Sequence, residues 1–295
     1  MANLLALLCL LSVSVACQSS AGRRPDPPGP DPTPQSVQLK RLDKDPIAMF
    51  TERSRHDYSV LARAETALLS HCLSANGYPP QPLPSIVPDE GFDDGRLTLE
   101  VAREYGYGLP PDQEGSTDAS LVGNPPVAVL WGSGATAQPA SGVPADGCYG
   151  YARRVLFQGK YDDYEGARVQ VEKLRNDAVL AARAHPDVVA ATRRWSDCFA
   201  DKGYRYKTTS AALKAGVLLP TADQVPMAVA DVECRQASDL DDVREQALWN
   251  FELIAVEKQP DPLAAFSSRW SAALDAAIQI VSGAPLPSLR IYRSD

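Results

Sequence analysis

The sequence predicts an all-α protein, and three observations carry that expectation. Apolar residues recur at three- and four-residue spacing in several long stretches, glycines and prolines punctuate those stretches, and no convincing series of alternating apolar and polar residues suggests a sheet. With 295 residues, 44% of them hydrophobic, the chain can bury one large core or two modest ones.

The first segment is an address. Leu4 to Val15 is an apolar run, shorter than the roughly 20 residues that span a bilayer, and residues 1–16 read as a signal peptide. Residues 17–45 are expected to be a disordered tether. Gln18 to Pro34 holds six prolines and two glycines and offers little to bury.

Residues 46–284 are the expected helical domain. Between Pro46 and Asn76 the face Val60, Leu61, Ala64, Leu68 and Cys72 points to a helix that Gly77 stops. Residues 79–146 carry eleven prolines, which forbid long helices and interior strands. This is a Pro/Gly-rich central loop insertion, in which only Leu97–Tyr105 and Val127–Trp131 can pack onto the helices. From Gly147 helical signals dominate. Val188, Thr192, Trp195 and Phe199 form a stripe ended by Gly203, and a single helix is expected from Asp223 to Lys258 on the stripe Val229, Val232, Leu240, Val243, Ala247, Phe251 and Ile254. A last helix spans Leu263–Val281 before Pro285 and Pro287, leaving residues 285–295 as a tail. Trp195, Trp249 and Trp270 are assigned to the core.

Residues 64–78 (AETALLSHCLSANGY) align without a gap on 190–204 (AATRRWSDCFADKGY), matching at Ala, Thr, Ser, Cys, Gly and Tyr. Each copy ends in Cys-x4-Gly-Tyr, where glycine can take the left-handed cap conformation. Each is followed later by another cysteine. The domain is therefore read as two related, disulfide-linked halves. Cys72, Cys148, Cys198 and Cys234 are an even set in an exported chain, which favours disulfides over zinc, since no Cys-x2-Cys or His-x3-His spacing exists. Three pairings are possible, and the repeat favours Cys72 with Cys148 and Cys198 with Cys234.

Several chemistries find no support. A formal net charge of -8 without any run of Lys or Arg argues against nucleic acid and disfavours polyanionic surfaces. His56, His71 and His185 are the only imidazoles. His71 precedes Cys72, but neighbours on a helix point about 100° apart, so the pair is not preset as base and nucleophile. The acidic clusters 89–95 and 162–166 lack the ligand alternation of a calcium loop and read as solvated turns. Gly132-Ser133-Gly134 completes no nucleophile elbow. No cofactor and no metal is expected. Tyr105, Tyr107, Tyr149, Tyr151, Tyr204 and Tyr206, arranged as aromatic-x-aromatic pairs near glycines, form a possible ligand platform; their alternative role is stapling helix ends.

Ala16-Cys17 at the end of the apolar run resembles a bacterial lipoprotein signal, in which the cysteine is acylated and becomes the new N-terminus. Ser14-Val15-Ala16 also satisfies an ordinary cleavage site, so a freely secreted protein is the alternative. With the Pro-rich tether, the Cys-x4-Gly-Tyr helix ends and the later cysteine after each, most of the mature chain resembles cell-surface lipoproteins of high-GC Gram-positive bacteria. That resemblance implies attachment to the outer face of the cell membrane and carries over no catalytic residue. The expected function is a non-enzymatic binding or accessory module with an envelope protein partner. The alternative is an envelope hydrolase with a carboxylate-based site in the central insertion.

Overall fold

In the computed structural model, residues 33–84, 97–108, 121–132 and 143–289 are described. Among them the ordered elements are all helical: α1 Ala48–Thr51, α2 Arg55–Ala75, α3 Leu99–Tyr105, α4 Val127–Trp131, α5 Gly147–Leu156, α6 Tyr161–Ala184, α7 Pro186–Asp201, α8 Thr209–Gly216, α9 Thr221–Ala237, α10 Leu240–Lys258 and α11 Pro260–Val281, with one 3-10 turn at Pro34–Ser36. The protein is all-α. No described helix is long and apolar enough to cross a membrane.

Local chemistry sets most of the helix ends. Ser54, Thr98 and Thr208 cap α2, α3 and α8 by accepting the N–H three residues on, and Pro186 opens α7, where its missing N–H costs nothing. At the end of α2, Gly77 is left-handed (φ 83°) and Tyr78 N donates to Leu73 O at 3.0 Å; at the end of α7, Gly203 (φ 95°) and Tyr204 N to Phe199 O, also 3.0 Å, repeat the arrangement. The likeness extends to Ser70 and Ser196, which tie the returning chain at Gln81 and Tyr206. It stops there. α11 ends on the same cap at Gly283 without a cysteine, and the partner cysteines differ in setting, Cys148 opening α5 and Cys234 lying in the last turn of α9.

Both disulfides are present, Cys72–Cys148 joining α2 to α5 and Cys198–Cys234 joining α7 to α9. Each lies in its own hydrophobic cluster. The first gathers Leu68, Leu73, Tyr151, Leu156, Leu263 and Trp270 from α2, α5 and α11, and the second Trp195, Phe199, Met227 and Leu240 from α7, α9 and α10. The chain crosses between them more than once. α3, early in sequence, packs on α9 through Ala102, Ala228 and Val232, while α11 returns to α2; α6 runs beside both α10 and α11.

Three expectations are corrected. The helix expected over 223–258 is two helices, α9 and α10. Ser238 turns its hydroxyl back to Cys234 O at 2.7 Å, and Asp239 adopts φ 53°, so the ladder ends and a new helix starts. The tether expected over 17–45 does not extend through its described end. Residues 37–42 lie extended along α10, where Asn250 and Gln246, one turn apart, offer their amides as a substitute strand. Lys40 N donates to Asn250 Oδ1 (3.0 Å) and Leu42 N to Gln246 Oε1 (2.7 Å), with the side-chain amides returning donors to both carbonyls. Likewise the tail expected from residue 285 is packed over its described part, Pro287 O accepting from the buried Tyr151 hydroxyl at 2.7 Å.

Just past the strap, the half-buried Asp45 meets the buried Glu252. Arg175 donates to Asp45 Oδ2 at 2.9 Å and to Glu252 Oε1 at 3.2 Å, while Glu252 Oε2 is buried with no donor facing it. A protonated Glu252 has a donor to offer to the neighbouring Asp45. Burial, followed by the hydrogen bond and charge of Asp45, pushes the Glu252 carboxyl up to about 8.

Two predictions follow from this architecture. Because the folded value of Glu252 is raised above its unfolded one, its contribution is full below the unfolded value and is lost as pH rises through about 8. The melting temperature is therefore expected to fall from pH 5 to pH 8, and Glu252→Gln, which keeps a donor towards Asp45, is expected to flatten that dependence. A flat wild-type profile would contradict the proton. For the bridges, sequence separations of 76 and 36 correspond to about 4–5 and about 4 kcal/mol in the chain-entropy model. The double variant Cys72→Ser/Cys148→Ser is expected to raise hydrogen exchange in α2 and α5 first, and Cys198→Ser/Cys234→Ser in α7 and α9; equal loss everywhere would show a single cooperative unit.

Candidate functional site

The larger of two concavities flanking α7 is a cleft of about 830 Å³ whose walls come from the end of α6, one flank of α7, the start of α8 and α10. The sequence places its lining by helical arithmetic. Trp195 of α7 faces the core, fully buried, and at about 100° per residue Thr192, Ser196 and Arg193 follow at about 60°, 100° and 160° round one side of the helix from it. Val188 and Val189 supply apolar surface on that side, joined by Val179 and Ala182 of α6 and Leu248 of α10. Thr208, Thr209 and Ser210 close one end.

What fixes α7 in this orientation is a buried carboxylate. Asp231 of α9 is fully buried and accepts from Trp195 Nε1 at 2.9 Å, Arg235 Nε at 2.8 Å and Nη2 at 3.0 Å, and the Tyr107 hydroxyl at 3.2 Å. Both oxygens are satisfied. Burial, then the neighbouring Asp231 charge, pushes the Tyr107 phenol above its ordinary range, so it remains a donor.

The electrostatics of the cleft are one-sided. Arg183, Arg193, Lys207 and Arg244 line it against a single acid, Asp197, and none of the four cations has a salt bridge or side-chain hydrogen bond to a described residue. Arg244 is half-buried. Burial first, and then repulsion from Arg235, lowers its guanidinium pKa from the usual value, with Asp241 only partly offsetting this. A smaller cavity of about 370 Å³ on the opposite flank of α7 is balanced, setting Arg41 and Arg194 against Asp187 and Asp242.

The residues singled out in the sequence fall elsewhere. Cys17, the acidic cluster 89–95 and Ser133-Gly134 lie outside the described residues. The six tyrosines form no common platform. Tyr151 is fully buried in the first cluster and Tyr149 stacks on Trp131 at 4.3 Å, whereas Tyr107, Tyr204 and Tyr206 pack against the second cluster and Tyr105 bonds to Glu104. Trp195 and Trp270 are core; Trp249 is only partly buried. His71 follows its helix beside a Cys72 that is already bonded, His56 is exposed, and His185 caps α7, its Nδ1 accepting from Asp187 N at 3.2 Å while Nε2 faces Val37 O at 3.0 Å. Asp162, Asp163 and Glu165 belong to the first turns of α6, where Asp163 pairs with Arg269 and Glu165 with Arg168. Of the described acids of the central insertion, Glu100 and Glu104 are exposed on α3 and Asp146 pairs with Arg154 of α5. Among the described residues no group of three His, Cys, Asp or Glu is placed to hold a metal.

Comparison with protein-family models, curated proteins and solved structures finds no match. The site must therefore be read from its own chemistry. Its four cations come from four separate elements spread over 62 positions of sequence, at spacings that form neither a run nor a stripe. Only the fold reveals them as neighbours.

Proposed function

We propose that this chain is an extracytoplasmic binding module, tethered to the outer face of the membrane by a lipid on Cys17, whose working surface is the cationic cleft. The cleft carries the reading. Four cations without described protein partners line one cavity of small-ligand size, three of them exposed and Arg244 half-buried, and a bound anion would answer their charge. The disulfides support the exported address, since cytosolic thiols are kept reduced. The Pro-rich residues 18–34 are suited to lifting a domain off a bilayer. An accessory role towards an envelope protein is compatible with the same surface, the ligand then being presented to that partner.

Two experiments test the two parts. Cys17→Ser is expected to move the protein from the membrane fraction to the medium, and wild-type protein is expected to take up radiolabelled palmitate; unlabelled wild-type protein would end the lipoprotein reading. For the cleft, a photoreactive amino acid at Ser196 is expected to give a covalent adduct in living cells, and one at the exposed Glu172 of α6 to give none. No adduct from either position would remove the cleft as the working surface.

A further inference from the structure

We propose that the cleft takes an amphiphilic anion, a phosphate or carboxylate headgroup carrying an apolar chain. This rests on the binding-module reading and adds to it the chemical class of the ligand. Two kinds of surface meet in the cleft, and each alone would favour a different molecule. Arg183, Arg193, Lys207 and Arg244 call for negative charge, with Asp197 as the only opposing acid in the lining. The start of α8 adds donors of the same sign. Ala211 N is taken by Thr208 Oγ1 at 3.2 Å, but the N–H groups of Thr209 and Ser210 have no acceptor among the described residues.

The second surface is apolar. Val179, Ala182, Val188, Val189 and Leu248 line the same cavity, and an inorganic ion would leave them wet. A neutral chain would bury that wall and leave the cations unanswered. A polyanion fails on a third count, because a volume of about 830 Å³ suits a small ligand or one lipid chain with its headgroup. Only a ligand with both parts uses the whole site. The chain's net charge of -8 makes this cleft a local exception on an acidic molecule, which favours one bound headgroup over adsorption to a charged surface.

The test uses the full mature chain, residues 17–295 with Cys17→Ser, in calorimetric titrations with decyl phosphate below its micelle concentration, inorganic phosphate and decyl maltoside. Decyl phosphate is expected to bind at least about ten-fold more tightly than either of the others, and Arg193→Ala and Arg244→Ala are each expected to weaken it by about ten-fold or more, the equivalent of losing one charge-assisted contact. Arg193 is exposed, so its variant stands even if the Arg244 variant fails to fold. Cosedimentation with phosphatidylglycerol vesicles, but not phosphatidylcholine vesicles, would assign the ligand to the bilayer; decyl phosphate binding without cosedimentation would assign it to a soluble amphiphile. Equal affinity for decyl maltoside or for inorganic phosphate, or undiminished binding by Arg193→Ala, would overturn the proposal. A failed titration alongside a Ser196 adduct in cells removes the ligand class and leaves the binding module; failure of both removes the module as well.

Discussion

Asp231 is the contact on which the arrangement around the cleft depends. It joins α9 to α7 through Trp195, to its own next turn through Arg235, and to the segment after α3 through Tyr107. Burial works against the charge of Arg235, but the hydrogen bond and charge of Asp231 outweigh it and hold the guanidinium above its usual value. Breaking such a buried pair from one side costs about 3–5 kcal/mol, a large share of a domain's net stability of about 5–15 kcal/mol. Fixing Trp195 inward also fixes everything else on α7. Arg193 is two residues away, about 200° around the helix, and is therefore turned outward. Arg235, committed to Asp231 and close to Asp241 at 3.5 Å, leaves its neighbour Arg244 the weaker claim on nearby acids.

The rest of the molecule is sewn together by long-range returns rather than by two self-contained halves. α11 closes the first cluster, α3 lies on the second, and the strap 37–42 crosses α10 with its backbone answered by Gln246 and Asn250. A disulfide sits in each cluster, and Asp45 with the buried Glu252 locks the end of the strap. These devices act through different physics. The bridges limit the unfolded chain at every pH, whereas the Glu252 proton makes the strap's end a pH-dependent part of the fold.

The helical class was legible because apolar spacing is a property of neighbours in sequence. Val188, Trp195 and Phe199, and Leu263, Phe266 and Trp270, are buried as their stripes implied, and even the short pieces at Leu99–Tyr105 and Val127–Trp131 were visible between prolines. The bridges were legible through the repeated Cys-x4-Gly-Tyr. What could not be read depends on partners far away. The α9–α10 break was hidden by a stripe that continues across it, although Ser238-Asp239 carried the local signal. The strap needed amides some 200 positions distant, and the tyrosine pairs divided between two clusters that the sequence does not separate. Net charge was misleading for the site, since a total of -8 averages over a local excess of cations.

The cleft's energetics turn on desolvation. In water each cation would be hydrated, but at the half-buried Arg244 the low-dielectric wall of Val188, Ala182 and Leu248 weakens that hydration while Arg183 and Arg235 repel. A headgroup placed there gains from several donors at once, and its chain gains from the wall, so occupancy should survive purification. Native mass spectrometry of the protein extracted from its own envelope tests this most directly. The account predicts a retained mass adduct that fragments to a negatively charged amphiphile and is lost in the Arg193→Ala/Arg244→Ala variant. The bare polypeptide mass alone, or an adduct unchanged in that variant, would contradict it.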